Sequence, residues 1–209
     1  LRDTKGNITA YASSQYVNYV HQMNKEVWAL VKDFDGGIGS KEETYQLLSK
    51  TSNRENLINQ LLAEALKCRI DGINVDFEQV SPETAHHYIQ FIRELSVVCH
   101  DNDLIVSVDN YVPTAYTAFY NRKEQGRYVD YVVIMAYDEH YSGSETAGSV
   151  ASYGYLTKAV DNILTMVPKE QVIMAVPFYT RLWTETKENG ITKLTSEALA
   201  MVTAKTELD

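Results

Sequence analysis

The stretch DGINVDFE, residues 71–78, places an amide and two carboxylic acids at alternate positions: Asn74, Asp76 and Glu78. In an extended chain alternate side chains share a face, so these three point one way while Ile73, Val75 and Phe77 point the other. At ~3.3 Å per residue, Asp76 and Glu78 stand about 6.6 Å apart along the strand. Two carboxylates that close in a dry site do not both ionise easily, so one should hold its proton to higher pH and serve as a general acid. Glu78, nearest the end of the strand, is the better placed donor. Taken alone, Asp-x-Glu heavily favours an internal salt-bridge network or a solvated strand end.

A second constellation is IMAYDEHYSG, where Tyr137 and Asp138 close an apolar run. Val133, Met135 and Tyr137 share a face, which brings the Tyr137 hydroxyl to the rim of the cavity that Glu78 faces if both strands enter one sheet in that register. The alternative is a core tyrosine with a satisfied hydroxyl. Asp109 and Asn110 sit at the end of a third apolar run, LIVSVDNYV.

These residues need elements to hold them. YASSQYVNYVHQMN carries Tyr16, Val17, Val20 and Met23 at helical spacing, and EVWALVKDF, 26–34, reads as a buried strand. DGGIGS, 35–40, is a glycine turn, and a helix is expected over NRENLINQLLAEALKC, with Ser52 and Glu55 spaced as a capping box. Strand 71–78 is followed by a helix opened by Ser81 and Pro82 and running to about His100, then by strands at 104–112 and 131–137. A helix near 152–166 and a strand at 171–178 complete five strand candidates. Most are continuous apolar runs, as in strands covered on both faces. The alternation predicts an α/β fold with a parallel sheet, either open or closed into a barrel. The acids at the C-terminal ends of different strands favour a (β/α)8 barrel modestly, since open sheets bind ligands there too. About five of the eight barrel strands are visible, so the first two and the last are expected outside this register.

The length of 209 residues suffices for one sizeable core. With 28 acidic and 19 basic residues and a formal charge of −9, the chain lacks the electrostatic footprint for nucleic acid or an anionic membrane. No apolar run approaches the ~20 residues of a membrane span, and LRDTKGN is not a secretory signal. The start at Leu1 rather than methionine points to processing or truncation upstream. The 15 tyrosines and two tryptophans suit stacking on sugars, or packing half-buried at the surface. Cys68 and Cys99 have neither metal-ligand spacing nor disulfide density and read as buried thiols. Nothing in the pattern specifies an oligomeric state.

DGINVDFE closely resembles the DGxDxDxE signature of family 18 glycoside hydrolases, which include chitinases and peptidoglycan-processing N-acetylglucosaminidases. Asp71, Gly72, Asp76 and Glu78 match, as does the aromatic Phe77, while Asn74 stands in place of the first inner aspartate. An asparagine there is expected to hydrogen-bond Asp76 without sharing its charge. Met135, Ala136, Tyr137 and Asp138 resemble the family's MxYD motif on the sixth barrel strand. VPFYTRLW looks like its seventh-strand exit, with Tyr179, Arg181 and Trp183 able to line a sugar groove, although packing and surface charge explain them as well. The resemblance implies a partial catalytic barrel over 1–183, with 184–209 starting an insertion.

It also implies a mechanism. Glu78 would protonate the glycosidic oxygen, the sugar's own acetamido group would attack, and Glu78 would then deprotonate water. Asp76 would orient the acetamido nitrogen, Tyr137 would hold its carbonyl, and Asn74, Asp138, Tyr179, Arg181 and Trp183 would contact the glycan. No metal or organic cofactor is implied. NVDFE followed by YDEHYSG looks more like bacterial spore-cortex and cell-envelope glycosidases than large secreted chitinases, implying an extracellular, envelope or spore location. The rival from another class is a chitinase-like lectin, against which Glu78 argues. His86 and His87 are adjacent rather than i, i+4, so they read as surface residues, and His140 reads as a solvated loop histidine.

Overall fold

The computed structural model describes residues 1–188 and 191–208. Of the 184–209 segment, residues 189, 190 and 209 lie outside the described residues. In chain order the elements are α1 (Ser14–His21), β1 (Trp28–Lys32), α2 (Lys41–Leu48), α3 (Thr51–Cys68), β2 (Gly72–Asp76), α4 (Ala85–His100) and β3 (Ile105–Tyr111). There follow α5 (Arg122–Gln125), β4 (Tyr131–Met135), α6 (Tyr153–Leu164), β5 (Val172–Ala175), β6 (Tyr179–Glu188), β7 (Ile191–Ala200) and α7 (Met201–Leu208).

Strands β1 to β5 form one parallel sheet in sequential order, each joined to the next through helical segments, while β6 and β7 pair antiparallel on their own. This is the order of consecutive units of a (β/α)8 barrel. One register row crosses the whole sheet: Val31, Val75, Val108, Val132 and Val172. The first four are buried, with β-branched side chains fitting the pleated surface under the helices. Leu57, Ile58, Leu61 and Ala65 of α3 and Phe91, Ile92, Leu95 and Cys99 of α4 repeat at helical spacing and cover that face. Phe77 stacks on Phe91 at 5.5 Å and on Tyr88 at 6.1 Å, so the apolar side of DGINVDFE is locked to α4. Cys68 and Cys99 are buried free thiols.

The opposite face carries the chemistry. Its rows run Leu30–Asn74–Ser107–Tyr131, then Lys32 beside Asp76 and Asp109–Val133–Ile173, then Tyr111–Met135–Ala175. At the bottom, Trp28 is the register partner of Gly72 and stacks on Tyr131 at 5.3 Å. A Cβ at Gly72 would stand 2.8 Å from the Ile105 carbonyl oxygen and 3.0 Å from Trp28, so only glycine lets the indole cross the strand.

Several local expectations are corrected. The capping box lies not at Ser52 and Glu55 but at the start of α2, where the Ser40 hydroxyl accepts from Glu43 N–H and the Glu43 carboxylate accepts from Gly39 N–H and the Ser40 hydroxyl. Helix α3 starts at Thr51 after Lys50, with no side-chain cap. Ser81 and Pro82 form a turn ahead of α4, whose first helical residue is Ala85. Tyr16 and Met23, expected on an apolar helical face, are exposed, and Val17 carries the burial of α1. β5 ends at Ala175, before the expected 178, because Pro177 has no N–H to donate to a ladder. Strand β6 runs through positions 183 and 184, and the expected division there is neither corrected nor supported by that continuity.

Candidate active site

Glu78 lies two residues past the end of β2, where ladder hydrogen bonds no longer fix the chain. Side chains take over. Asp33, fully buried just beyond β1, accepts from Glu78 N–H at 2.7 Å and Gln79 N–H at 3.0 Å, and from the Thr44 hydroxyl of α2 at 2.9 Å. From the other side, Tyr120 donates its hydroxyl to the Phe77 carbonyl at 3.0 Å. The Glu78 carboxylate, half-buried, accepts from the Tyr111 hydroxyl at 2.6 Å through Oε2.

Asp76 is buried, and its Oδ1 has no hydrogen-bond partner among the described residues. Burial, then the negative charges of Asp109, Glu78 and Asp33, push its carboxyl up to about 7, against a smaller opposing pull from Lys32. Asp76 is therefore held neutral to higher pH than an ordinary aspartic acid. Burial also raises Asp109 and Asp33, opposed at Asp109 by a hydrogen bond from Asn74 and at Asp33 by its Thr44 and backbone donors. The Asn74 amide donates to Asp109 at 3.0 Å and Ser107 at 2.8 Å, on the neighbouring strand, not to Asp76 as expected. The register explains this: Asn74 is the partner of Ser107, so its side chain reaches sideways rather than along its own strand.

Tyr137 is half-buried; burial, then the charges of Asp76, Asp109 and Glu78, raise its phenol to about 12. Its hydroxyl thus stays protonated across the physiological range and available as a donor. Asp138 adopts a left-handed backbone, φ 57°, a conformation that short polar residues tolerate. Its carboxylate accepts from the Tyr179 hydroxyl at 2.6 Å, and Tyr179 packs edge-on to Tyr137 at 6.4 Å. Arg181 donates to Ser196 on β7 and Trp183 donates its indole N–H to the Gly148 carbonyl, tying the β6–β7 hairpin to the loop after β4. Tyr179, Arg181 and Trp183 alternate on one face of β6, but Tyr179 is the one joined to Asp138.

Asp71 stands at the opposite end of β2, where it accepts from Val27 N–H and pairs with His21, so this part of the signature joins α1 to the sheet. His140 bonds the Ser149 carbonyl, and Glu139 accepts from Ser152 at the start of α6, which orders the loop after β4. Sequence reasoning missed Asp33, Tyr111 and Tyr120. Tyr111 had a signal: it shares the alternate face of Ser107 and Asp109 at a strand end.

Sequential parallel strands carrying acids at their C-terminal ends fit a barrel-enzyme architecture. The sequence profile described as Glycosyl hydrolases family 18 matches residues 13–208, and the chain belongs to that family. It is 27% identical over 194 residues to "Uncharacterized glycosylase YvbX" of Bacillus subtilis (strain 168), covering 87% of this chain and 55% of that protein. It is 24% identical over 185 residues to the "Cortical fragment-lytic enzyme" of the same organism, covering 86% and 43%. The crystal structure of chitinase from Chromobacterium violaceum ATCC 12472 superposes with a TM-score of 0.83 at 22% identity, over 99% of this chain and 65% of that one. The chain spans about half the length of the curated relatives it matches. Its fold is a five-stranded part of the (β/α)8 barrel, and its family is one of glycosidases acting on carbohydrate. Among the described residues no helix is long and apolar enough to cross a membrane.

Proposed function

We propose that the chain carries the catalytic wall of a glycosidase that cleaves β-1,4 bonds next to N-acetylglucosamine, with retention and with the substrate's acetamido group as nucleophile. Glu78 gives its proton to the glycosidic oxygen as the bond to the anomeric carbon breaks. The acetamido carbonyl oxygen closes onto that carbon, forming an oxazolinium. The Glu78 carboxylate then takes a proton from water, whose oxygen attacks the same carbon and reopens the ring. Asp76 accepts the acetamido N–H through its unpaired Oδ1, and Tyr137 donates to the acetamido carbonyl. Asn74 holds Asp109 beside this pair, while Asp138 with Tyr179, and Arg181 and Trp183 beyond them, border the sugar.

The observation that carries this reading is Glu78 near a buried acid with an orphaned oxygen, Asp76 Oδ1, with both charges acting on the Tyr137 phenol. Among glycans with 2-acetamido sugars we favour peptidoglycan of the spore or cell envelope, supported by the cortical fragment-lytic relatives. We place the barrel wall at 1–178 and the start of an insertion at β6, keeping that strand whole. Glu78→Gln should lower kcat on muropeptide or chitin oligosaccharides by at least ~10³-fold while Kd stays within a few-fold. Near-normal hydrolysis by that variant would refute the assignment. Binding without sugar release by the unaltered protein would instead favour a chitinase-like lectin.

A further inference from the structure

The Glu78 carboxyl can act on a glycosidic oxygen only if one of its two oxygens is aimed outward and the other is restrained. A free glutamate side chain has three rotors, and ordering it costs conformational entropy. Asp33 and Tyr120 fix the backbone of residues 77–79 but leave these rotors untouched. The remaining restraint comes from β3. The Tyr111 hydroxyl donates to Oε2 at 2.6 Å, whereas Oε1 has no partner among the described residues.

Tyr111 is itself held in place. Its carbonyl accepts from Arg122 Nη2 at 2.7 Å, and its ring packs edge-on against Tyr120 at 6.0 Å. Arg122 is buried and also grips Thr117 through its carbonyl and hydroxyl oxygens, so the β3–α5 connection backs the phenol rigidly. Burial, with the adjoining Glu78, holds the Tyr111 phenol far above its ordinary value, so it remains a hydrogen donor wherever the enzyme would work.

We infer that Tyr111 is a positioning residue for the proton donor: by occupying Oε2 of Glu78 it makes Oε1 the oxygen that delivers and later recovers the proton. The inference rests on the proposed role of Glu78. No bond is made or broken at Tyr111; it acts through the direction in which the Glu78 proton is presented.

The test is Tyr111→Phe in the full-length protein, assayed by kcat/KM, which reports steps through glycosidic cleavage. Two N-acetylglucosamine oligosaccharide substrates are compared: one with a sugar leaving group, which needs protonation, and one with a dinitrophenyl leaving group, which does not. The variant should lose roughly 10–100-fold on the sugar leaving group and less than about 3-fold on the dinitrophenyl one, with Tm and oligosaccharide Kd close to the parent's. Equal losses on both substrates, or no loss on either, overturn the inference. Glu78→Gln run alongside separates the two ideas: if it still hydrolyses the sugar substrate, the reading of Glu78 fails, and if it is inactive while Tyr111→Phe is normal, only the role of Tyr111 fails.

Discussion

Asp76 carries the clearest conflict between stability and chemistry. Its carboxyl rises from the ordinary range near 4 to about 7 on folding, because burial and three neighbouring acids oppose its charge. The folded state therefore binds this proton more tightly than the unfolded chain does. Below pH ~4 both states are protonated and Asp76 contributes nothing; between ~4 and ~7 stability falls as pH rises, and above ~7 the full loss persists. Asp33 and Asp109, raised by burial, act in the same direction. Asp76→Asn should consequently gain roughly 1–3 kcal/mol at pH 8 and almost nothing at pH 4 in urea unfolding, while hydrolysis drops by ~10²-fold or more. A variant less stable than the parent at pH 8 would contradict this account. The alternation of Asn74, Asp76 and Glu78 was legible in sequence, but the raised carboxyl of Asp76 was not. It depends on burial and on Asp109 and Asp33, which only the fold brings near Asp76.

Among the elements, the strands were legible because valine-rich runs covered on both faces look alike in any parallel sheet. Helix α2 was not, since KEETYQLL offers a short, mostly polar pattern, and its true cap at Ser40 sits inside what reads as a glycine turn. The β6–β7 hairpin was missed too, although the sequence step Asn189-Gly190 is a strong hairpin signal. The joint between helices is equally invisible in sequence. The Arg54 guanidinium of α3 forks onto Glu94 of α4 at 2.8 and 2.9 Å and also donates to the Leu48 carbonyl at the end of α2 at 2.7 Å. One buried side chain thus ties three helices and satisfies a terminal carbonyl. Lysine keeps the charge but loses the planar fork, so Arg54→Lys should destabilise by roughly 2 kcal/mol, read as a lower urea midpoint with an unchanged slope. An unchanged midpoint would show that the joint is held by packing alone.

At the scale of the molecule, a barrel closed on itself leaves no strand edge, whereas among the described residues β1 and β5 each pair with a single neighbour. A groove follows from this: a concavity of about 770 Å³ runs along β1, bordered by Tyr11, Tyr16, Ala29, Leu30, Val31 and Ile73, with Glu78 not among its lining residues. Leu30 is 56% exposed although it shares the inner face with Asn74, and Phe178, past β5, is 87% exposed. Exposed apolar surface of this extent on a strand edge binds apolar dyes and invites pairing between chains, even at a net charge of −9. A polypeptide of residues 1–209 should therefore enhance anilinonaphthalene sulfonate fluorescence and show concentration-dependent association in sedimentation velocity. Leu30→Glu should weaken both, since it sets a charge in the groove without touching the valine row that faces the helices. If dye binding and association were unaffected by that substitution, the edge of β1 would not be the surface responsible, and the apolar residues beyond β5 would be the next to alter.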